Sequence, residues 1–476
     1  MSSQPFPARR LTALQWTWFA AIAAFQIANA IALPLFNGPD ERGHYARLWA
    51  LSDGHFGCTT LPASVTATER MYYVANDTIP RYLERGLKIP ADNKRVDGWD
   101  YMCHYFPSGM VVPALANRLI AEHFDGTMRQ GGAFVGAYAA RLANALVVDV
   151  TLLVLLFSLP WGRYTALAFF SIPSVIQQSS SIGHDGFLFV LTALILIVML
   201  RPPSWRAVFA IAGMASLMTL VKPTFAPFGL LALPHVARLY ASEGRFRWRQ
   251  WLKSATMLAP AAVYALWHAV SADAKRVWMP GFSQPHHQLV LLAQRPWRLF
   301  IVFVGYFHYF IDDHTQPDFT PRMINGKWTT IFFGNAYFEM SLIGTLCVIA
   351  GLLLALVADI YTAPRSEPPP PSPRLLRWAW RGAIAAILIT FPLTILALYL
   401  IFSHVGVDYP YGVQGRYHLF AMLLLMMLGV LRVRHRVKVT RAWMPWLALA
   451  GAIFVLVGDG YAVQAILEHY WPRHPF

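Results

Sequence analysis

Long apolar runs recur from one end of the chain to the other, separated by short polar or Pro/Gly-containing segments. As a helix, a run of about 20 residues crosses the hydrocarbon core of a bilayer. The pattern therefore predicts an all-α polytopic membrane protein with about eleven transmembrane helices. The predicted spans are residues 12–36, 142–160, 164–182, 186–200, 206–221, 224–238, 255–271, 338–360, 379–402, 417–431 and 443–463.

Two further apolar stretches, 105–121 and 297–311, are interpreted as interfacial or re-entrant helices on the outer side. Counting either one alone as a span would reverse every later loop and expose the Arg-rich segments 238–253 and 432–441 outside the cell. With the N-terminus inside, the cytoplasmic segments hold about half of the 39 Lys and Arg residues and very few acidic ones. The positive-inside rule thus predicts a cytoplasmic N-terminus and an extracytoplasmic C-terminus.

The composition supports this class. Of the 476 residues, 56% are hydrophobic and 13% are charged, and the mean hydropathy is +0.43. Soluble domains carry about 25% charged residues. A soluble enzyme, a secreted disulfide scaffold and a disordered protein are therefore excluded. The net charge of +15 is read as an orientation signal, and we expect no nucleic acid partner.

The long polar segments lie on the predicted outer face, so we expect the function there. Arg9 and Arg10 precede the first span, which is interpreted as an uncleaved anchor because its apolar run is longer than a signal peptide needs. No Walker A or GxGxxG motif is present. The predicted organisation is an N-terminal span (1–36), an extracytoplasmic loop (37–141), transmembrane helices 2–7 (142–271), a second extracytoplasmic loop (272–337) and transmembrane helices 8–11 (338–476) with a Pro-rich cytoplasmic linker at 364–373.

The first outer loop holds two of the three cysteines, Cys58 and Cys103. A disulfide between them would close a loop of about 45 residues and stabilise the fold by roughly 4 kcal/mol in the chain-entropy account. The alternative is a zinc site that adds His55 and His104. We favour the disulfide, because adjacent ligands crowd a tetrahedral ion. Cys347 lies in a predicted span and is interpreted as a core residue.

An acidic motif, Asn37-Gly38-Pro39-Asp40-Glu41-Arg42-Gly43-His44-Tyr45, directly follows the first span. Asp40 could act as a base, with Glu41 and His44 on one helical face as its neighbours or as metal ligands. The alternative is structural, because acidic residues in a first helical turn often only stabilise the helix.

Three further polar positions stand at the ends of predicted spans. His184-Asp185 joins the third and fourth spans, where a polar turn among headgroups is the alternative to a functional pair. Lys222 precedes Pro223 at the tip of a hairpin and would suit a lipid phosphate, or could extend its ammonium to the interface. Arg416 begins a late span; its planar guanidinium matches phosphate oxygens, and the alternative is an interfacial anchor beside Tyr417.

The order and spacing of these motifs resemble the GT-C superfamily of membrane glycosyltransferases. More narrowly, they are similar to a family of bacterial predicted membrane proteins of unknown function associated with cell-surface polysaccharides. The resemblance rests on Pro39-Asp40-Glu41-x-x-His44, Ser181-x-x-x-Asp185, Lys222-Pro223 and Gly412-Val413-Gln414-Gly415-Arg416-Tyr417. It implies a GT-C-like fold, a catalytic acidic residue in the first outer loop and a sugar donor carried on a polyprenyl phosphate.

Under this resemblance we expect sugar transfer from a polyprenyl-phosphate donor to a cell-surface glycan or glycolipid, among the lipids of a bacterial inner membrane. Asp40 and Glu41 are the expected catalytic residues, and Arg416 with Lys222 would bind the donor phosphate. The substrate-orienting residues would be His44, His184 and Asp185. A divalent cation is left open as a cofactor, but we predict no metal, because side-chain cations can neutralise a single leaving phosphate.

The main alternative is a transporter or flippase of a lipid-linked sugar, which would use the same charges as a substrate path. A lipid phosphatase or a ligase acting on lipid-linked glycans is a third reading. The sequence argues against transport, because most ionisable residues sit at one face, whereas transporters often place their sites near the midplane.

Overall fold

The part of the chain that the structure describes is mostly helical. The computed structural model describes residues 10–38, 40–57, 59–72, 77–96, 105–243, 248–271, 282–311, 341–362, 374–410, 412–433 and 443–471. The α-helices described are α1 (Ala13–Ala32), α2 (Glu41–Ser52), α3 (Ala63–Glu69), α4 (Ile79–Leu87), α5 (Val111–Met128), α6 (Gly132–Ser158), α7 (Arg163–Phe170), α8 (Pro173–Ser179), α9 (Asp185–Met199), α10 (Trp205–Val221), α11 (Leu233–Glu243), α12 (Trp248–Ala255), α13 (Ala259–Val270), α14 (Pro285–Gln294), α15 (Arg298–Ile311), α16 (Leu342–Thr362), α17 (Arg374–Phe402), α18 (Leu419–Val433) and α19 (Met444–Tyr470).

The remaining regular structure is short. Strands β1 (Leu61–Pro62) and β2 (Arg95–Val96) pair antiparallel within the segment 37–141. The 3-10 helices described are Arg70–Tyr72, Pro107–Met110, Pro223–Ala232, Thr256–Leu258 and Gly415–His418.

Four helices in the described ranges, α6, α16, α17 and α19, are long and apolar enough to cross a membrane. Helices α14 and α15 are bent by 113° at their break and form a broken span or a re-entrant loop, which makes five spans if the pair counts as one. The interpretation of 297–311 as an interfacial or re-entrant helix therefore stays a prediction. The apolar helices α9, α10 and 415–430 are shorter. The chain is therefore a helical membrane protein, while the count of eleven spans stays a prediction.

Several helix ends lie close to their predicted positions because a polar turn bounds the apolar run. Helices α9 and α10 begin and end within one residue of the predicted spans 186–200 and 206–221. Helix α6 differs, since it begins at Gly132 after Gly131 in the left-handed conformation (φ +76°). The boundary predicted at 141/142 therefore falls inside α6.

The predicted span 164–182 is a broken helix. It consists of α7 and α8, which are separated at Ser171 and Ile172. Pro173 occupies the first turn of α8, where its missing N–H costs no hydrogen bond, but it could not continue α7. Both pieces are almost completely buried, so the break lies inside the protein.

Helices α16 and α19 pack closely through glycines. A Cβ added at Gly351 would lie 2.2 Å from Cγ2 of Val455, and one added at Gly458 would lie 2.4 Å from Cγ2 of Val348. Small residues that let two backbones approach are a common way for helices to associate in membranes. Close van der Waals packing between the two helix backbones therefore stabilises this helix pair.

The substitutions Gly351→Ala and Gly458→Ala should each destabilise the protein by about 1–3 kcal/mol, because the added methyl group overpacks this contact. Gly429→Ala on α18 is the matched control, since a Cβ there meets no atom within 4 Å. Thermal unfolding of the purified variants in detergent measures the effect. Equal transition temperatures for all three variants and wild type would contradict the glycine contact.

The segment 37–141 is docked on the ends of the long helices. The Tyr45 hydroxyl donates to the carbonyl of Ala133 (2.7 Å), and the Tyr82 hydroxyl accepts from the backbone of Leu35 (2.9 Å). Helix α5 packs along α6 and leaves apolar side chains exposed, as an interfacial helix would. This docking brings α2 to the end of α1.

The predictions for the first two cysteines stay predictions. Cys58 and Cys103 lie outside the described residues, so neither the disulfide nor the zinc alternative is tested. Cys347 lies in α16 as a free thiol and is half-buried, so it is less enclosed than the core position predicted for it.

Candidate functional site

A fully buried ion pair between Glu41 and Arg141 fixes the backbone of the site. Oε1 of Glu41 lies 2.7 Å from Nε of Arg141, and Oε2 lies 2.6 Å from Nη2. The remaining guanidinium hydrogens go to the carbonyls of Ala30, Leu33 and Pro34 at the end of α1, at 2.6–2.9 Å. A bidentate pair with every other donor satisfied is the arrangement in which two buried charges are stable.

The carboxylate of Glu41 also accepts hydrogen bonds from the turn before α2 and from the turn after α8. It accepts hydrogen bonds from the backbone N–H of Phe36 (2.9 Å), Gly38 (3.1 Å) and Ile182 (2.9 Å). Both oxygens thus contact protein donors, so these contacts assign Glu41 a positioning role. Its predicted catalytic role stays a prediction that no described contact supports. Sequence reasoning missed Arg141, because its partner lies 100 residues away and no motif marks it.

Asp40 is presented by a strained turn. It adopts the left-handed conformation (φ +59°), as does Phe36 four residues earlier (φ +67°). This region is uncommon for residues other than glycine, and such strain clusters at functional sites. Asp40 occupies the N-cap position of α2, but its side chain makes no capping hydrogen bond. The helix-stabilising alternative for Asp40 therefore does not describe its contacts.

The Asp40 carboxylate instead meets Arg416, which is 376 residues away in sequence. Oδ2 of Asp40 accepts from Nη2 of Arg416 at 3.0 Å. The Asp40 side chain is 45% exposed, whereas that of Arg416 is 3% exposed. Nε and Nη1 of Arg416 are buried and have no hydrogen-bond partner. Each edge of the guanidinium therefore keeps one donor that an anion could use.

Asp185 and Lys222 form a second ion pair beside the first. Oδ1 of Asp185, at the start of α9, lies 2.5 Å from Nζ of Lys222, at the end of α10. The ammonium also lies 4.7 Å from the centre of the Tyr417 ring, an attractive cation–π contact. Lys222 and Arg416, both predicted to bind phosphate, thus share Tyr417 as a neighbour.

His44 and His184 meet between the two ion pairs. Their ring centres are 4.3 Å apart, and Tyr105 packs 4.6 Å from His184. Burial lowers the pKa of His44 to about 4, against the opposing influence of the Asp40 and Asp185 carboxylates. His44 is therefore neutral at pH 7. Its buried Nδ1 has no hydrogen-bond partner.

The structure thus brings together six of the predicted site residues, namely Asp40, His44, His184, Asp185, Lys222 and Arg416. Glu41 is buried beside this cluster, in its pair with Arg141. The two carboxylates and two cations balance in charge. Within the described ranges, no group of three or more His, Cys, Asp or Glu residues is arranged to hold a metal ion.

Fold and site together define a helical membrane protein with a charged cluster at the ends of its helices. The chain belongs to a family described as "Predicted membrane protein (DUF2142)", whose model matches residues 125–426. No curated protein and no solved structure matches. The predicted likeness to a family of membrane proteins is confirmed at this level. The match includes Arg141, Asp185, Lys222 and Arg416 but begins after Asp40, which joins them through the contact with Arg416.

Glu41→Gln should destabilise the protein by about 3–5 kcal/mol, because it leaves the buried Arg141 charge uncompensated. Glu84→Gln is the matched control, since Glu84 pairs with Lys88 on an exposed helix face. Thermal unfolding of both variants measures the difference. A Glu41→Gln variant as stable as Glu84→Gln would show that the buried pair does not anchor the site.

Proposed function

We propose that this protein is a membrane glycosyltransferase of the GT-C type. It transfers a sugar from a polyprenyl-phosphate donor to a cell-surface glycan or glycolipid, on the extracytoplasmic face of a bacterial inner membrane. The observation that carries the proposal is the 3.0 Å contact between Asp40 and Arg416. It puts a half-exposed carboxylate next to a buried cation with unused donors, a pair suited to a general base and a phosphate-binding group in glycosyl transfer from a lipid phosphate.

The proposed topology has eleven spans, with the N-terminus inside and the C-terminus outside. Support comes from the shorter apolar helices α9 and α10 and the broken pair α7 and α8, which add to the four long helices. The Arg-rich segment 238–253 then faces the cytoplasm, as the positive-inside rule requires. The same topology puts Asp40, Asp185, Lys222 and Arg416 on the outer side, where sugars are supplied on lipid carriers.

In the proposed reaction, the acceptor hydroxyl attacks the anomeric carbon of the donor sugar. Its proton passes to the Asp40 carboxylate while the bond between the anomeric carbon and the phosphate oxygen breaks. The bonding electrons leave with the polyprenyl phosphate. Asp40 is suited to the base role because Arg416 holds Oδ2, while the half-exposed side chain leaves Oδ1 for the hydroxyl. General-base help of this kind contributes about 10²–10⁴-fold.

Arg416 stabilises the charge that develops on the leaving phosphate. A preorganised cation in a site shielded from water acts strongly on such charge and needs no reorganisation during the reaction. The buried donors Nε and Nη1 are available for phosphate oxygens. Lys222 adds a second positive charge near Tyr417, although its contact with Asp185 means that a phosphate would share it.

The histidines complete the site as orienting groups. His44 is neutral at pH 7 and buried, so its unpartnered Nδ1 can donate to or accept from a sugar hydroxyl without adding charge. Glu41 acts through the backbone, because it fixes the turn that presents Asp40.

The placement of the charges favours this reaction over the alternative of a lipid-linked-sugar transporter or flippase. Asp40 precedes α2, Asp185 begins α9, Lys222 ends α10, and Arg416 lies in the 3-10 helix before α18. These four charges form one cluster at helix ends, whereas transporters often place their substrate sites near the bilayer midplane.

Asp40→Asn should lower sugar transfer about 10²–10⁴-fold, because the proton acceptor is lost while the half-exposed amide oxygen can still accept the hydrogen bond from Arg416. Purified protein is assayed with a panel of polyprenyl-phosphate hexoses and pentoses and membrane glycolipid as acceptor. Asp53→Asn is the matched control, since Asp53 lies at the other end of α2 and pairs with Arg95. Full transfer by a folded Asp40→Asn variant would remove the base assignment. Wild type that moves the lipid across vesicles without transfer would favour the flippase.

Arg416→Lys should weaken binding of a polyprenyl phosphate about 10- to 100-fold, because the planar donors aimed at the phosphate are lost while the charge stays. Arg118→Lys is the matched control, an exposed arginine paired with Glu122 on α5. Binding of radiolabelled polyprenyl phosphate and the acceptor KM are measured for each. A change in acceptor KM with unchanged lipid binding would contradict the phosphate role of Arg416.

A further inference from the structure

Helix α12 lies at the opposite end of α10 from the charged cluster. Nζ of Lys253, on α12, lies 5.4 Å from the ring centre of Trp205, the first residue of α10. Lys222, a member of the charged cluster, directly follows the last residue of α10. The 17 residues of α10 separate these two places by roughly 25 Å, since a helix rises about 1.5 Å per residue. Helix α12 therefore takes no part in the site described above.

Helix α12 turns polar side chains toward the protein and large apolar ones away from it. Gln250 and Ser254, which are one turn apart, are buried. Trp248, Trp251 and Leu252 are 70%, 61% and 67% exposed. A helix on the surface of a soluble protein shows the reverse arrangement. An outward apolar face with tryptophan is typical of a helix that lies at the interface of a bilayer.

Two positive charges accompany this apolar face. Arg249 and Lys253 are one helical turn apart on α12, so their side chains lie on the same side of the helix. Both residues are exposed. Each cation contacts an aromatic ring, Arg249 that of Trp248 and Lys253 that of Trp205, and neither pairs with a carboxylate among the described side chains. Their charge is therefore available to an anion.

The cations and the apolar face meet in a groove between α12 and α10. Its volume is about 350 Å³, and it is lined by Phe209, Trp248, Arg249, Leu252, Lys253 and Thr256. This volume lies within the range of sites that bind small molecules. Helix α13, which packs against α10, also exposes apolar side chains, including Leu266 and Val270. The groove thus offers positive charge and apolar surface side by side.

Neither a free anion nor an apolar partner makes use of the whole groove. Phosphate alone would bind the two cations and leave the apolar walls uncovered. An apolar helix, including one from a second copy of this chain, would cover the walls but would remove two unpaired cations from water, which is costly. A phospholipid carries a phosphodiester next to its acyl chains, so it matches both kinds of surface.

Net charge distinguishes among phospholipids. A zwitterionic lipid brings an ammonium that the two cations repel, whereas an anionic lipid brings only the complementary charge. Basic pockets between membrane helices bind anionic headgroups in this way. We propose that the groove between α10 and α12 binds an anionic phospholipid, with its phosphate on Arg249 and Lys253 and an acyl chain along Phe209 and Leu252. This binding depends neither on the sugar transfer proposed above nor on the orientation of the chain in the membrane.

The full-length protein is purified in a nonionic detergent and titrated with phosphatidylglycerol, phosphatidylcholine or glycerol phosphate, and native mass spectrometry counts the bound molecules. We expect saturable binding of phosphatidylglycerol that exceeds binding of the other two probes. Replacing both cations, Arg249→Gln with Lys253→Gln, should weaken one phosphatidylglycerol site about 30-fold. The matched control is Arg374→Gln with Arg381→Gln, which removes the same charge from two exposed arginines of α17 that do not line the groove.

The apolar half of the site is tested separately. Phe209→Ser should weaken phosphatidylglycerol binding about tenfold, because the acyl chain loses an aromatic wall. Phe157→Ser is its matched control, since Phe157 on α6 is 44% exposed, against 42% for Phe209, and does not line the groove. This pair decides the question if the doubly substituted variant does not fold.

Four outcomes would overturn the proposal. They are equal binding of phosphatidylcholine and phosphatidylglycerol, binding of glycerol phosphate as tight as that of the lipid, equal losses in the groove variants and their controls, and a dimer whose formation displaces the lipid. The second outcome would assign the cations to a free phosphate, and the fourth would assign the groove to a second copy of the chain.

Discussion

The ion pair between Glu41 and Arg141 is the interaction on which the geometry of the site depends. Removing two charges from water is costly, and the cost is offset here because every polar atom of the pair has a partner. Those partners are backbone groups at the end of α1, in the turn before Asp40 and in the turn after α8. One buried pair therefore sets the relative positions of three segments that come from distant parts of the chain.

The four charged residues of the neighbouring cluster are less completely enclosed by protein donors and acceptors than this buried pair. Asp40, Asp185, Lys222 and Arg416 stand at helix ends, and each is paired with an opposite charge. These ion pairs stabilise the cluster without a ligand. An anionic substrate could still bind Arg416 at little cost, because Nε and Nη1 of its guanidinium have no hydrogen-bond partner to give up. Asp459 is the contrast, because it lies within a helix and neither of its carboxylate oxygens has a hydrogen-bond partner.

Local patterns in the sequence account for much of the fold and for the members of the charged cluster. Helix α9 could be placed to within one residue because the polar turn at His184-Asp185 bounds its apolar run. The break between α7 and α8 was missed, although Pro173 carried a signal for it, because the apolar pattern on both sides of the proline was counted as one span. Asp459 carried a usable signal, a lone carboxylate within an apolar run, although the lack of a hydrogen-bond partner for its oxygens becomes visible only in three dimensions.

The limit of sequence reasoning is clearest at two adjacent carboxylates. Asp40 and Glu41 are chemically alike and share one motif, so composition and spacing assign them the same role. The left-handed turn at Asp40 points the two side chains into different surroundings, and one becomes 45% exposed beside Arg416 while the other is fully buried against Arg141. What separates the proposed proton acceptor from the buried partner of Arg141 is therefore the location of two arginines, one 100 and the other 376 residues away along the chain. Because Glu41 positions the turn that presents Asp40, losing either carboxylate should disable the proposed reaction, and the loss of Glu41 should also destabilise the protein.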